Sequence, residues 1–263
     1  MQKLTQTLAA LKREERPGYM MHMVAGFPDF DSSIKIAKRI LESGADLLEI
    51  QIPFSDPIAD GPVIASANEI ALENGTTVRM SFDIIEELTR ISNKPILIMT
   101  YFNIVHRYGV ETFCKKASDV GVQGLIIPDY PIDEDVGNEL ILYCKESKLA
   151  LIQVVASTTK PERMIEISKK ATGFVYCMTR TGITGKKTVI SPQTIEYLET
   201  VRNNCSLPLA VGFGLSEKSQ VKALTPYADL MIVGSALIRE YANKPIEVGL
   251  TAVDIFMQKL TSS

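Results

Sequence analysis

Short apolar runs recur along the whole chain, each bounded by Gly, Pro or Asp. Both faces of these runs are apolar, which is typical of parallel strands covered by helices. We predict strands at residues 20–24, 47–52, 96–101, 124–128, 150–155, 174–178, 208–211 and 230–233. The intervals between them show helical spacing of apolar positions, so strands and helices alternate.

Local signals mark several of the helices. Residues 33–43 carry apolar side chains at helical spacing among lysines and arginines. Thr159 and Glu162 have the spacing of a capping box, with a proline in the first turn. Ser191 and Ser216 are further expected helix starts.

Eight strands in strict alternation with helices favour one architecture. We predict an α/β fold of the (βα)8 TIM-barrel class, with an open doubly wound sheet as the second choice. Residues 1–263 are expected to form a single barrel domain, because no linker or repeat interrupts the chain. The segment 55–91, between strands two and three, is long enough for an extra helix or an elaborate loop.

Composition and charge exclude several classes of function. The chain of 263 residues is 46% hydrophobic and has a net charge of −3, without a basic stripe, so we expect no nucleic-acid partner. No apolar run reaches the roughly 18 residues that a membrane span needs, and we do not expect residues 1–16 to be a secretory signal, because they are polar and charged. The four cysteines have no CxxC pair and are expected to be reduced core thiols, which indicates a cytoplasmic protein.

Strand two contains a carboxylate on the wrong face for a purely structural strand. With period-two alternation, Glu49 and Gln51 face the barrel interior, while Ile50 faces the helices. A carboxylate inside an apolar barrel costs several kcal/mol unless it is paired or protonated. The pattern shows no obvious cationic partner on another strand. We therefore interpret Glu49 as a general acid or base, rather than as a structural plug.

The loop after strand two is stiffened by three prolines and a glycine, so its two aspartates, Asp56 and Asp60, are held in place. An Asp before Gly is usually only a turn former. Beside an inward Glu49, Asp60 becomes a candidate second carboxylate. One buried and one more solvated carboxyl can divide the protonated and ionised roles.

Glycines follow strands seven and eight, where barrels of this class bind phosphate. Gly212 and Gly214 end strand seven, and Gly234 precedes Ser235 at an expected helix start. Backbone N–H groups can approach an anion closely at such positions. Two such motifs on adjacent strands predict phosphate binding.

The segment 179–187 has two glycines among small polar residues and is typical of a lid. Its spacing does not match a Walker A sequence, so Lys186 and Lys187 are interpreted as a solvated loop tip. The chain has two histidines, no HExxH motif and no lysine within a predicted strand. These features disfavour metal-dependent and Schiff-base aldolase mechanisms and leave carboxylate acid–base chemistry without a cofactor.

The motif from Glu49 through the loop, Ile52-Pro53-Phe54-Ser55-Asp56-Pro57-Ile58-Ala59-Asp60-Gly61-Pro62, resembles the signature of the tryptophan synthase alpha chain family. The segments 25–29, 182–185 and 212–214 are also similar to that family. The resemblance runs in order from about residue 18 to Arg239, which covers the whole predicted barrel. The proline-rich motif is the specific part, since the glycine motifs alone are weak.

The resemblance implies a lyase of tryptophan biosynthesis that cleaves indole-3-glycerol phosphate into indole and glyceraldehyde 3-phosphate. It implies that Glu49 shuttles protons, that Asp60 holds the indole N–H, and that Tyr176 lines the site and assists. It places Tyr101 and Ile126 in the indole pocket, and lets Thr184 orient Asp60 when the lid closes. The phosphate ligands that it implies are Gly185, Phe213, Gly214, Gly234 and Ser235.

The resemblance also implies a partner. Members of the family work with a pyridoxal-phosphate-dependent beta chain in an alpha2beta2 heterotetramer, and the beta chain receives indole through a tunnel. We therefore expect a docking surface near Pro53, Asp56 and Asn103. The pyridoxal phosphate belongs to the partner, and this chain is expected to hold no cofactor and no metal.

Three positions depart from the family pattern. Gln51 replaces an expected glycine and could crowd the substrate or hydrogen-bond the catalytic carboxyl. Ala65 replaces a customary glutamine, and His22 replaces an aromatic wall residue and is expected to be a satisfied core histidine. Two alternatives stay open: a barrel without turnover that activates a beta chain allosterically, and a sugar-phosphate isomerase or epimerase.

Overall fold

The computed structural model describes residues 1–130, 132–133, 135–179, 190–212 and 214–261. Its strands pair in parallel, each with the next, and β8 returns to β1 to close a barrel. The strands are β1 (Gly18–Val24), β2 (Leu47–Gln51), β3 (Ile96–Met99), β4 (Gly124–Ile126), β5 (Ala150–Ala156), β6 (Val175–Met178), β7 (Leu209–Gly212) and β8 (Leu230–Val233). The predicted eight-stranded TIM barrel is confirmed.

Helices surround the barrel and include additions to the basic repeat. Those of the described residues are α1 (Gln2–Arg13), α2 (Phe30–Glu42), α3 (Pro62–Glu73), α4 (Val78–Ile91), α5 (Phe102–Tyr108), α6 (Val110–Asp119), α7 (Asp135–Glu146), α8 (Pro161–Lys170), α9 (Pro192–Asn204), α10 (Lys218–Leu224), α11 (Ser235–Tyr241) and α12 (Ile246–Thr261). The extra helix expected between strands two and three is confirmed, because both α3 and α4 lie there. No described helix is long and apolar enough to cross a bilayer. That residues 1–263 form one domain stays a prediction.

Two expected helix starts are wrong, each because a side chain bonds elsewhere. The Thr159 hydroxyl accepts a hydrogen bond from the Ala156 N–H (3.1 Å) and closes the turn after β5, while Lys160 is the N-cap of α8. Glu217, rather than Ser216, caps α10 and forms a capping box with Gln220. The start at Ser191 is confirmed, because its side chain accepts a hydrogen bond from Thr194 N–H.

The alternation of each strand divides the apolar residues into two layers. Outward side chains such as Leu48, Ile50 and Ile98 pack under the helices, while Leu47, Leu97 and others fill the barrel interior. This confirms the inward face predicted for β2. Glu49 and Gln51 are the polar residues of the inward face of β2, level with the apolar Leu97 and Met99 of β3.

Helix α1, which the sequence analysis did not predict, closes the amino end of the barrel. Its Leu4 and Leu11 are buried in the interior cluster, and Leu8 packs against it. The three leucines recur at intervals of three or four and so lie on one face. The polar composition of residues 1–16 hid this face, although its spacing is helical.

The turn after β1 requires glycine for a steric reason. Gly26 has φ +75°, and a Cβ at this position would collide with the side chain of Thr76, which is buried. Gly75 has a similar φ of +80° but has nothing within 4 Å of its Cβ position. A substitution at either glycine would therefore strain the backbone, but only a substitution at Gly26 would also collide with a neighbouring side chain.

We expect Gly26→Ala to lower the free energy of unfolding by more than Gly75→Ala does. Gly75→Ala adds the left-handed strain of about 1–2 kcal/mol, and Gly26→Ala adds to it an overpacking cost of about 1–3 kcal/mol. Urea unfolding of both variants and the unmodified chain measures the difference. Equal losses of stability would contradict the assigned collision with Thr76.

Candidate active site

A cavity of about 420 Å³ opens at the carboxyl end of the barrel. Seven residues predicted to bind or transform a substrate lie in its wall: Glu49, Asp60, Ile126, Tyr176, Gly214, Gly234 and Ser235. They come from β2, β4 and β6, from the loops after β2 and β7, and from the start of α11 after β8. This is the end at which barrels of this class hold their functional groups.

Glu49 is buried within the barrel, with 1% of its surface exposed. The register of β1 and β2 places it beside His22, whose Nδ1 lies 3.5 Å from Glu49 Oε2. The expectation that no cationic group on another strand faces Glu49 was therefore wrong. The sequence shows the histidine but not its pairing with Glu49, because only the strand register, and not the spacing along one strand, brings the two side chains together.

His22 is not the satisfied core histidine that the sequence suggested. It lines the cavity, and its buried Nε2 has no hydrogen-bond partner among the described residues. Burial by itself lowers the pKa of His22, but the negative charges of Glu49 and Asp60 outweigh it, so this pKa is raised. Gly234 makes room for the ring, since a Cβ there would lie 3.3 Å from His22 Cδ2.

Asp60 is held in the loop after β2 by several groups. Its N–H donates to Pro57 O (2.9 Å), and its Oδ2 accepts a hydrogen bond from Gln51 Nε2 (2.6 Å). With 9% of its surface exposed it is only slightly more open than Glu49. Burial raises the pKa of Asp60, and the hydrogen bond from Gln51 and the charge of His22 oppose that rise.

Asn68 of α3 anchors this loop and was missed by the sequence analysis. Its Nδ2 donates to Ile64 O (2.8 Å), and its Oδ1 accepts hydrogen bonds from Phe54 N (3.0 Å) and Gln51 Nε2 (3.2 Å). A signal was present in the sequence. Asn68 lies on the apolar face of α3 with Ile64 and Ala71, and a polar residue on such a face is expected to hold a buried partner.

Gln51 bonds Asp60 and not the neighbouring Glu49. Crowding of the substrate and a hydrogen bond to the catalytic carboxyl were the two expectations for Gln51, and the structure shows it buried between Asp60 and Asn68. It is not part of the cavity wall. Ala65, on α3, is half-buried and is also absent from that wall.

The two predicted tyrosines lie differently. Tyr176 of β6 is half-buried in the cavity wall, and its hydroxyl packs over Gly212, where a Cβ would lie 2.8 Å away. Burial and the charges of Glu49 and Asp60 raise the pKa of Tyr176. Tyr101 is fully buried behind the loop and not in the wall. Its ring stacks on Phe54 at 5.2 Å, and its hydroxyl accepts a hydrogen bond from Ala59 N–H (3.1 Å).

The glycine-rich part of the wall follows β7 and β8, and β8 pairs with β1, the strand that carries His22. Gly214 has φ +87°, and Ser235 is the first residue of α11, with a buried Oγ that lacks a hydrogen-bond partner among the described residues. Thr184, Gly185 and Phe213 lie outside the described residues, as does the predicted lid after Thr179. No three His, Cys, Asp or Glu side chains of the described chain are grouped as metal ligands.

The predicted docking residues differ in exposure. Asp56 and Asn103 are exposed, whereas Pro53 is buried. Ile58, four residues after Phe54, is 74% exposed and was not singled out from the sequence. Among the described residues it is the most exposed large apolar side chain.

Comparisons with known proteins agree with this geometry. A family model described as "Tryptophan synthase alpha chain" matches residues 8–262. The chain is 41% identical over 237 residues to the tryptophan synthase alpha chain of Desulfotalea psychrophila, covering 89% of this chain and 92% of that one. It is 39% identical over 249 residues to that of Desulforapulum autotrophicum, covering 95% and 96%.

Solved structures give the same result. The structure of Mycobacterium tuberculosis tryptophan synthase aligns with a TM-score of 0.88 at 31% identity, covering 98% of this chain and 96% of that one. A crystal structure of the tryptophan synthase complex from Pyrococcus furiosus aligns with a TM-score of 0.85 at 31% identity, covering 94% and 99%.

The raised pKa of Asp60 predicts a stability change. A carboxyl whose pKa is raised on folding favours the folded state at low pH, and this contribution is lost as pH rises through the folded pKa. We therefore expect Asp60→Asn to melt at a higher temperature than the unmodified chain at pH 7 to 8. The difference should narrow as pH falls towards the ordinary range of aspartate.

Thermal unfolding followed by circular dichroism at several pH values measures this effect. Asp56→Asn is the matched control, because Asp56 is exposed in the same loop. A lower melting temperature for Asp60→Asn at neutral pH would contradict the burial penalty assigned to Asp60.

Proposed function

The chain belongs to the tryptophan synthase alpha chain family, and we propose on this premise that it cleaves indole-3-glycerol phosphate into indole and glyceraldehyde 3-phosphate. The observation that carries the proposal is the pair of buried carboxyls, Glu49 and Asp60, in the wall of one cavity. The name of the matched relatives supports turnover over the alternative of a barrel that only activates a partner. It also supports this lyase over a sugar-phosphate isomerase or epimerase.

The reaction needs two proton transfers and one fixed negative charge. The bond between indole C3 and the glycerol chain breaks after C3 gains a proton, and the adjoining hydroxyl loses its proton to become the aldehyde. No net proton is consumed. Glu49, which is buried beside His22, would serve as the group that gives and takes these protons.

Asp60 would stabilise the charge that forms on the indole nitrogen when C3 is protonated. An anion fixed in a low-dielectric cavity stabilises such a transient cation more than a solvated one does. Tyr176, in the wall near both carboxylates, would assist in orienting the substrate. These roles need no cofactor in this chain, and pyridoxal phosphate would belong to the partner.

The remaining wall suits the two ends of the substrate. Ile126 gives an apolar surface for the indole ring, and Tyr101 would support that pocket from behind the loop. Gly214, Gly234 and Ser235 would bind the phosphate through backbone N–H groups and the Ser235 hydroxyl. Gly185 and Phe213 are proposed as further phosphate ligands, and Thr184 as the lid residue that orients Asp60.

We further propose that the chain works in the cytoplasm as the alpha subunit of an alpha2beta2 complex with a beta chain. The four cysteines are buried and form no disulfide, which fits a reducing compartment. The exposed Asp56 and Asn103, together with Ile58, support a docking surface at the barrel mouth. Pro53 would contribute by shaping the loop, because its own side chain is buried.

We expect Glu49→Gln to lower the rate of indole release by about 10²–10⁴-fold, because the amide cannot transfer the proton. Binding of the beta chain should persist. Direct assay of indole from indole-3-glycerol phosphate, with and without added beta chain, measures the first effect. Glu69→Gln, an exposed change on α3, is the control. Indole release by Glu49→Gln at the unmodified rate would falsify the acid–base assignment.

We expect Ile58→Ser to weaken the affinity for the beta chain by about tenfold or more, since a central apolar side chain of an interface typically contributes this much. Ile91→Ser is the matched control, because Ile91 is 55% exposed at the end of α4, at the amino end of the barrel. Isothermal titration calorimetry measures both affinities. Equal weakening by the two changes would argue against a docking surface at Ile58.

A further inference from the structure

Strand β2, which carries Glu49, also places Gln51 within hydrogen-bond distance of Asp60. It follows Glu49 by two residues on β2, so both side chains face the barrel interior. It is fully buried, and its Nε2 lies 2.6 Å from Asp60 Oδ2 and 3.2 Å from Asn68 Oδ1. The amide thus connects the strand, the loop and helix α3 at one point.

The orientation of this amide follows from its surroundings. Asn68 Nδ2 donates to Ile64 O, and Phe54 N–H donates to Asn68 Oδ1, so the atom of Asn68 that faces Gln51 is an acceptor. Gln51 must therefore present its NH₂ group to it. The same NH₂ group then has its second hydrogen directed to Asp60, and a rotation of the amide would leave two oxygens in contact.

A donor matters at Asp60 because the groups around this carboxyl have opposite effects on its ionisation. Of the titratable groups that act on it, Glu49 on β2 opposes its ionisation and His22 on β1 favours it. Tyr101, after β3, donates a hydrogen bond to Asp60. The charge of Asp60 in turn raises the pKa of Tyr176 on β6. Burial raises the pKa of Asp60, and Gln51 is the strongest of the groups that oppose this rise.

We propose that Gln51 is a positioning residue, which holds the Asp60 carboxylate in its ionised, substrate-facing arrangement for the reaction. This inference rests on the proposed function. The family pattern implies a glycine at position 51, which has no side-chain donor. In this chain, the orientation and charge of Asp60 therefore depend on a side chain that the resemblance does not assign to the site.

The test is the pH dependence of indole release by Gln51→Met, which keeps the length of the side chain and removes the donor. At neutral pH we expect kcat to fall by about 10- to 100-fold, the effect of one hydrogen bond to a charged group. KM should change less, since Asp60 meets its cation only during the reaction. The acidic limb of the kcat profile should move to higher pH.

Gln153→Met is the matched control, because Gln153 is a buried strand glutamine on β5 that is not part of the cavity wall. Its acidic limb should coincide with that of the unmodified chain. An unmoved acidic limb in Gln51→Met would overturn the proposal, even if kcat had fallen, because a purely structural role lowers activity without moving the profile.

Carbon-13 NMR titration of the Asp60 carboxyl separates this inference from the proposed function. If the unmodified chain releases no indole, the proposed function fails, and the titration still shows whether Gln51→Met raises the pKa of Asp60. If Gln51→Met does not fold, Gln51→Gly takes its place in both measurements. Failure of both variants to fold would overturn the proposal in favour of a structural role.

Discussion

The burial of two carboxyls in one cavity is the constraint on which this site depends. Glu49 and Asp60 lie where water can offer few hydrogen bonds, and each charge must be met by a fixed group. His22 lies beside Glu49, and Gln51 donates to Asp60. Asn68 of α3 bonds both Gln51 and the loop after β2, so this helix helps to fix the groups around Asp60.

The barrel could be predicted from the sequence because its main signal is local. Each strand is a short apolar run, and the interior and exterior faces of β2 follow from simple alternation. The errors came where several local bonds compete. Thr159 closes a turn instead of capping α8, and Glu217 instead of Ser216 is the N-cap of α10. Helix α1 was not predicted, because its three leucines lie in a polar segment and are buried only by packing on the interior of the closed barrel.

The acidic residues could be predicted because a carboxylate on an inward strand position is unusual in itself. Their neighbours could not, since His22 meets Glu49 through the register of β1 and β2. Gln51 was known to face inward, but its choice of Asp60 over Glu49 depends on the path of the loop. The partners of Asn68 could not be predicted either, because its acceptor bonds Phe54 and Gln51, which lie 14 and 17 residues earlier in the chain.

The leucines of α1 affect where a small molecule can enter or leave the barrel. Leu4 and Leu11 fill the amino end of the barrel, below Leu47 and Leu97, and the space there is apolar and packed. Helix α1 therefore closes this end, and the cavity seen among the described residues lies at the carboxyl end, next to the loop that carries Asp56 and Ile58. A protein bound to that loop would cover part of the route by which a molecule enters or leaves the cavity.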